Sequence, residues 1–236
     1  MSVAWDVFGI GVVAVDDLIY VDHFPLAGTK MPIEAQRREG GGLTGTALVA
    51  ASRLGAKSAY GGVLGHDALS VFSIQELARE GVDCRPALQH DQTQPIHSII
   101  MVDLSTTQRT ILYTIAGFTE RQPEEITDEL VANCRVLFVD HMAGAGGLRA
   151  VELAHAHGIP VVGDIEREDW PGMGDLMRQI DHLIVGCELA ERVTGEDEPG
   201  SMARALSRDD RACCVVTAGE RGCWYSERGE IGRAHV

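Results

Sequence analysis

Apolar residues along this chain come in short runs whose spacing changes between helical and extended periods. From residue 136 onward the order is short apolar strand, helix, short apolar strand. Strands are expected at 136–140, 159–164, 182–185, 215–217 and 223–225, and a helix at 148–157 is stopped by Gly158. That order predicts βαβ units and a mostly parallel sheet covered by helices, an α/β fold. Earlier, Ala47, Ala50, Ala51 and Leu54 recur at helical spacing before Gly55, and a second helix over 67–80 ends at Gly81. Residues 58–64 read as a strand and 123–133 as a helix. Two segments lack helices: about 17–38, and 94–115 with strands at 96–103 and 109–115. They predict a small antiparallel sheet standing off the main one as a lid. No linker or internal repeat divides the chain.

Two glycine patterns bear on chemistry. Gly9-x-Gly11-x-x-Ala14 matches a dinucleotide-binding fingerprint, which needs a helix directly after it. Residues 12–25 are instead rich in β-branched side chains and closed by Pro25, so a strand is expected there, Gly9 and Gly11 are expected to belong to the first strand leading to Asp16, and the dinucleotide reading falls away. The run Gly40-Gly41-Gly42 does precede a helix. Glycine there leaves backbone N–H groups free and lets a ligand approach the main chain.

Composition narrows the partners. The 236 residues are 45% hydrophobic and carry a formal charge of −15. So acidic a surface repels phosphate backbones and anionic lipid, arguing against nucleic acid and membrane partners. The six cysteines form no CxxC pair and lie in apolar runs, as reduced core residues do. With neither a basic leader nor an apolar run of membrane-spanning length, a cytoplasmic protein is expected.

In an open α/β sheet, ligands bind beyond the carboxyl ends of the strands. The expected strand ends carry Asp16-Asp17, Asp140-His141, Asp164-Ile-Glu166, Cys187-Glu188 and Thr217-Ala-Gly219. Carboxylates in these places suit hydroxyl recognition or a divalent cation. Each alone reads better as a helix cap; it is the five together at one edge that point to a shared site. His155 and His157 face opposite sides of one helix and make no metal pair.

With these blocks in place, the chain resembles the ribokinase-like sugar kinases, the PfkB group, nearly end to end. The resemblance runs from GVVAVDDLIYVDHFP through EGGGLTGTALVAASRLGA, GGVLGHDALSVFSIQELAREGVD, SIIMVD, QRTILY and LIVGCELAERVTG to VVTAGERGCWYS. The stretches QRTILY and GGGLTGTALVAASRLGA look most like the ketohexokinase and sulfofructose kinase branch. The resemblance implies a three-layer α/β/α kinase domain over 1–230 with a small β lid. It implies ATP-dependent phosphorylation of a sugar or sugar-derivative hydroxyl with Mg2+, and a homodimer through the lid. It places substrate at Asp16, Gly42 and Thr46, and nucleotide at Arg109, Glu188, Thr217 and Gly219. Glu188 would also serve Mg2+ through water. A nucleoside kinase of the same fold and a non-catalytic sugar-binding module are the alternatives. Three positions depart from the family's pattern: Thr46 and Ala14 where asparagines are common, and Cys187-Glu188-Leu189-Ala190 where Asn-Glu-x-Glu is usual. Relatives continue into a Gly-Ala-Gly-Asp block carrying the catalytic base, which has no match here. The resemblance therefore implies a chain incomplete at its C-terminus, with no catalytic residue of its own and no phosphotransferase activity. Residues 231–236, IGRAHV, match no expected strand or helix and correspond to one reading frame of a common sequencing adapter, so they are expected to be a non-native tail.

Overall fold

The computed structural model describes residues 3–168 and 170–235. The chain forms two compact units, residues 3–11 with 120–235, and Val12–Thr119. It opens in the first of these with strand β1 (Trp5–Ile10).

The Val12–Thr119 unit holds β2 (Ala14–Val21), β3 (Ala35–Gly41), α1 (Leu43–Arg53), β4 (Ser58–Tyr60), β5 (Val63–Leu64), α2 (Ala68–Arg79), β6 (Leu88–Gln89), β7 (Ile96–Asp103) and β8 (Arg109–Thr114). Four of them form a sheet in the order β3-β2-β7-β8. Both helix-free segments enter this sheet, but it is mixed: β2 pairs parallel with β7, while β2–β3 and β7–β8 are antiparallel. The expectation of a purely antiparallel sheet is corrected. The two segments pair through their first strands, which run the same way; the long connection between them, with two helices in it, is the crossover that a parallel pair needs.

The expected strand over 58–64 is two strands, and β5 pairs with β6. Helix α2 starts where Asp67 accepts hydrogen bonds from the Leu69 and Ser70 amides, and the chain then turns at Gly81 with φ 85°. Leu48, Tyr60, Leu64 and Leu77 are buried in this unit.

The other unit continues with α3 (Asp128–Ala132), β9 (Cys134–Asp140), α4 (Gly144–Ala156), β10 (Val161–Ile165), α5 (Met173–Gln179), β11 (His182–Gly186), α6 (Cys187–Thr194), α7 (Pro199–Ala205), β12 (Cys213–Thr217), β13 (Cys223–Glu227) and β14 (Glu230–Ala234). Its strands lie in the order β14-β13-β12-β11-β10-β9-β1. Pairing is parallel from β1 through β9, β10 and β11 to β12, then antiparallel across β13 and β14. Leu137, Val139, Ile165, Leu183, Val185 and Val216 are almost wholly buried. These strands read as continuous apolar runs because both their faces are covered.

The expected helix over 123–133 is a short 3-10 turn, Pro123–Glu125, followed by α3. Ile126 between them is extended and buried, and Thr127 caps α3 afresh by accepting from the Leu130 amide. The expectation that residues 231–236 match no strand is also corrected as far as they are described, Val236 lying outside the described residues. Residues 230–234 form β14, joined to β13 by Arg228 (φ 50°) and Gly229 (φ 83°). Two successive left-handed residues give the turn that matches strand twist, and the Arg233 guanidinium lies 4.4 Å from the Trp224 ring centre.

Candidate functional site

Asp16 is not at a strand end. The apolar run expected as one strand breaks after Ile10, and Asp16 is the third residue of β2, inside the four-stranded sheet. Nor are Gly9 and Gly11 on one strand with it: Gly9 is in β1, and Gly11 lies past its end. In register with Asp16 are Glu39 on β3 and Ser98 on β7. Ser98 faces Asp16 across this ladder and favours its charged form. Gly41 makes room for that carboxylate, since a Cβ there would fall 2.1 Å from Asp16 Oδ2.

Burial raises the Asp16 carboxyl above its ordinary pKa, more than Ser98 lowers it; Glu39 adds to the rise, and His97 and Arg109 oppose it. Arg109, the first residue of β8 and exposed, is thus within electrostatic reach of Asp16.

Gly42 follows β3 and caps α1 with φ 85°. Its carbonyl accepts from the Thr46 amide at 2.8 Å, one helical turn on. Thr46 is exposed and lines a cavity of about 530 Å³ with Gly40, Gly41 and Ser73; Asp16 does not line it. Asp16, Gly42 and Arg109 are thus gathered in one unit, with Thr46 turned to a neighbouring cavity. Gly41, Ser98 and Glu39 were not singled out from the sequence. Gly41 was visible only as part of a glycine run, and Ser98 only becomes a neighbour through parallel pairing across 82 residues, for which a single sequence carries no sign.

In the other unit the strand-end expectation holds for Asp140, Glu188 and Thr217. Gly186 and Thr217 are register partners on β11 and β12. This places the first turn of α6, with Glu188 exposed, beside the end of β12. Thr217 is exposed, and its hydroxyl donates to the Val185 carbonyl at 3.4 Å. Gly219 has φ 54° with nothing within 4 Å of an added Cβ, and it opens a 3-10 turn, Gly219–Arg221. Arg221 Nη2 lies 3.6 Å from Cys187 Sγ. Helix-start amides, an open glycine turn and a hydroxyl together suit an anionic ligand.

Among the described residues no three His, Cys, Asp or Glu side chains come together as a metal cage. One exposed carboxylate, Glu188, fits a hydrated cation held through water, as Mg2+ often is.

Asp164, in β10, pairs in register with Asp140. Burial first, then Glu166 and Asp140, push its carboxyl from 3.8 up to about 6. The folded chain therefore holds this proton longer than the unfolded chain, and stability falls as pH rises through the window from 3.8 to about 6. Asp164→Asn removes that penalty. The variant is expected to be more stable above pH 6 by about 2–3 kcal/mol and unchanged below about pH 4. Urea unfolding at the two pH values checks this; an equal gain at both would show that charge is not the cause.

The comparisons with known proteins agree with this architecture. The family description "pfkB family carbohydrate kinase" matches residues 9–235. Among solved structures, a candidate ribokinase from Agrobacterium tumefaciens superposes with a TM-score of 0.88 at 22% identity, over 97% of this chain and 76% of that one. Arabidopsis thaliana ribokinase, complexed with ribose and ATP, gives 0.78 at 18% identity, over 100% and 78%. Adenosine kinase from Sinorhizobium meliloti gives 0.78 at 20%, over 98% and 80%. The fold is ribokinase-like. With the family match running over nearly the whole sequence, the chain belongs to the pfkB family of carbohydrate kinases.

Proposed function

We propose that this chain is the ligand-binding part of a sugar kinase, taking a sugar or sugar derivative at Asp16 and ATP at Glu188, Thr217 and Gly219. The observation that carries the reading is the Asp16 carboxylate, half-buried, seated over Gly41 and in register with Ser98. A fixed, partly desolvated carboxylate accepts two adjacent hydroxyls at little reorganisation cost. ATP, when bound, supplies the phosphoryl group. This chain's residues bind and orient: Gly42 lets substrate approach the backbone, Thr46 lines the adjoining cavity, and Arg109 brings positive charge within reach of Asp16. Glu188 would hold Mg2+ through water. A reducing cytoplasm suits the six cysteines, all free thiols. No helix among the described residues is long and apolar enough to cross a membrane.

Asp16→Asn tests the reading by calorimetry with a panel of ketoses, aldoses and sugar acids, and with adenosine. Sugar binding is expected to weaken by about 1.5–3 kcal/mol, the worth of a charge-assisted hydrogen bond, with ATP affinity retained. Unchanged sugar affinity would remove Asp16 from the site, and binding of adenosine but no sugar would favour a nucleoside kinase. A homodimer belongs to the same reading. Strand β8 is exposed throughout at a sheet edge and carries Ile111, Leu112 and Tyr113, a surface open to pairing. Sedimentation that shows only monomer at high concentration would count against it.

A further inference from the structure

Asp16 and Asp17 point to opposite faces of β2, and they differ in their surroundings. Asp17 is only 8% exposed. Its Oδ1 accepts from Arg38 Nε at 2.7 Å, and its Oδ2 accepts from Arg38 Nη2 at 2.7 Å and pairs with His97 Nε2 at 2.8 Å. Arg38 is on β3, directly opposite Asp17, and His97 is on β7. One carboxylate thus joins three strands, and it does so from the face away from Asp16.

The need for such a clasp is visible in β3. Its sequence, Ala-Gln-Arg-Arg-Glu-Gly-Gly, has no apolar alternation, residues 35–40 are exposed, and it lies at the edge of the sheet. Burial normally specifies register by sorting apolar residues to one face, and here there are none to sort. Yet register is what places Gly41 beneath the Asp16 carboxylate and Glu39 opposite it. A slip of one residue would bring Arg38 or Gly40 opposite Asp16, and Gly41 would no longer leave the space the carboxylate occupies. The bidentate Arg38–Asp17 pair opposes that slip, because its two parallel hydrogen bonds form only with these residues face to face. The arrangement also holds Asp17 in its charged form: the Arg38 hydrogen bond, helped by His97, lowers its pKa to about 2 despite burial.

We propose that Asp17, Arg38 and His97 are positioning residues that fix the register of β3 and thereby build the acceptor seat around Asp16. This rests on the reading of Asp16 as the sugar ligand, so the test keeps the two apart. Hydrogen exchange over β3 and calorimetry with the sugar and with ATP are measured on the full chain and on Arg38→Ala, Arg38→Lys and Asp17→Asn. Arg38 is the primary site, being half exposed and safe to truncate. Arg38→Ala is expected to lose amide protection in β3 and to weaken sugar binding about tenfold, with ATP affinity within twofold. Arg38→Lys should restore protection only in part, since an ammonium cannot make the paired bonds. Protection and sugar affinity both unchanged in Arg38→Ala and Asp17→Asn would overturn the proposal, as would lost protection with sugar affinity unchanged. Should the unaltered chain bind no sugar, the Asp16 reading fails. The exchange data then still decide the clasp: β3 protection lost in Arg38→Ala supports it, and protection kept overturns it.

Discussion

Gly42→Ala should destabilise the Val12–Thr119 unit by about 3–5 kcal/mol, whereas Gly41→Ala, one residue earlier, should leave it folded. Gly42 has φ 85°, and an added Cβ would lie 2.6 Å from the Val12 carbonyl oxygen, 2.7 Å from Val13 Cα and 2.8 Å from the Ala14 nitrogen. All three are backbone atoms at or just before the start of β2, so relief requires moving either that entry to the strand or the start of α1. The left-handed backbone adds its own cost for any residue with a Cβ. At Gly41 the obstacle is instead Asp16 Oδ2, 2.1 Å away. It is the end of a side chain and can rotate aside. Gly41→Ala should therefore cost about 1 kcal/mol or less in stability while driving the carboxylate from its seat and weakening sugar binding about tenfold or more, the worth of one charge-assisted hydrogen bond. Hydrogen exchange over residues 12–119 reads the first effect and calorimetry the second. A Gly42→Ala chain within 1 kcal/mol of the parent would show that the crowding at this turn relaxes freely.

How much of this was legible in the sequence depends on whether a local rule was at stake. Helix α2 could be read because Asp67, the periodic apolar residues and Gly81 all act within a few residues of one another. Strand β7 could be read because a polar turn and a run of β-branched residues bound it. The break between β1 and β2 was missed because the apolar run passes straight through it, with no change in period at residues 11–13. That one miss misplaced Asp16, putting it at a strand end rather than within the four-stranded sheet. Helices α5 and α7 have seven residues each and α6 eight, too short for a periodic pattern to emerge. Strand β14 depends on Arg228 adopting a left-handed conformation, which arginine seldom advertises.

The site shows the same division. The places of Glu188, Thr217 and Gly219 just at or beyond strand ends could be anticipated because a short apolar run stops directly before each. The Asp17 clasp could not, because it joins residues 17, 38 and 97 through register. In sequence, Asp17 is merely the neighbour of Asp16.

Arg211 was equally silent in the sequence, and its loss should have an effect as large as that at Gly42. It is 9% exposed, and burial lowers its pKa. Its guanidinium donates from Nε to the Ile180 carbonyl at 3.1 Å, from Nη1 to Leu206 at 2.7 Å and from Nη2 to Met177 at 2.5 Å. These carbonyls belong to the ends of two helices: Met177 and Ile180 close α5, and Leu206 closes α7. The last carbonyls of a helix have no partner within it, and a cation there also meets the negative end of the helix dipole. One side chain satisfies both ends and holds them beside the start of β12. Arg211→Leu would leave three carbonyls without their donor in a place water reaches poorly, at a cost of about 3–5 kcal/mol. Arg211→Lys should recover only part of this, since one ammonium cannot span carbonyls on two helices. The three tryptophans, Trp5, Trp170 and Trp224, all lie in the same unit as Arg211. Urea unfolding followed by their fluorescence therefore reports the loss directly, and a midpoint unchanged in Arg211→Leu would show that water replaces the guanidinium without cost.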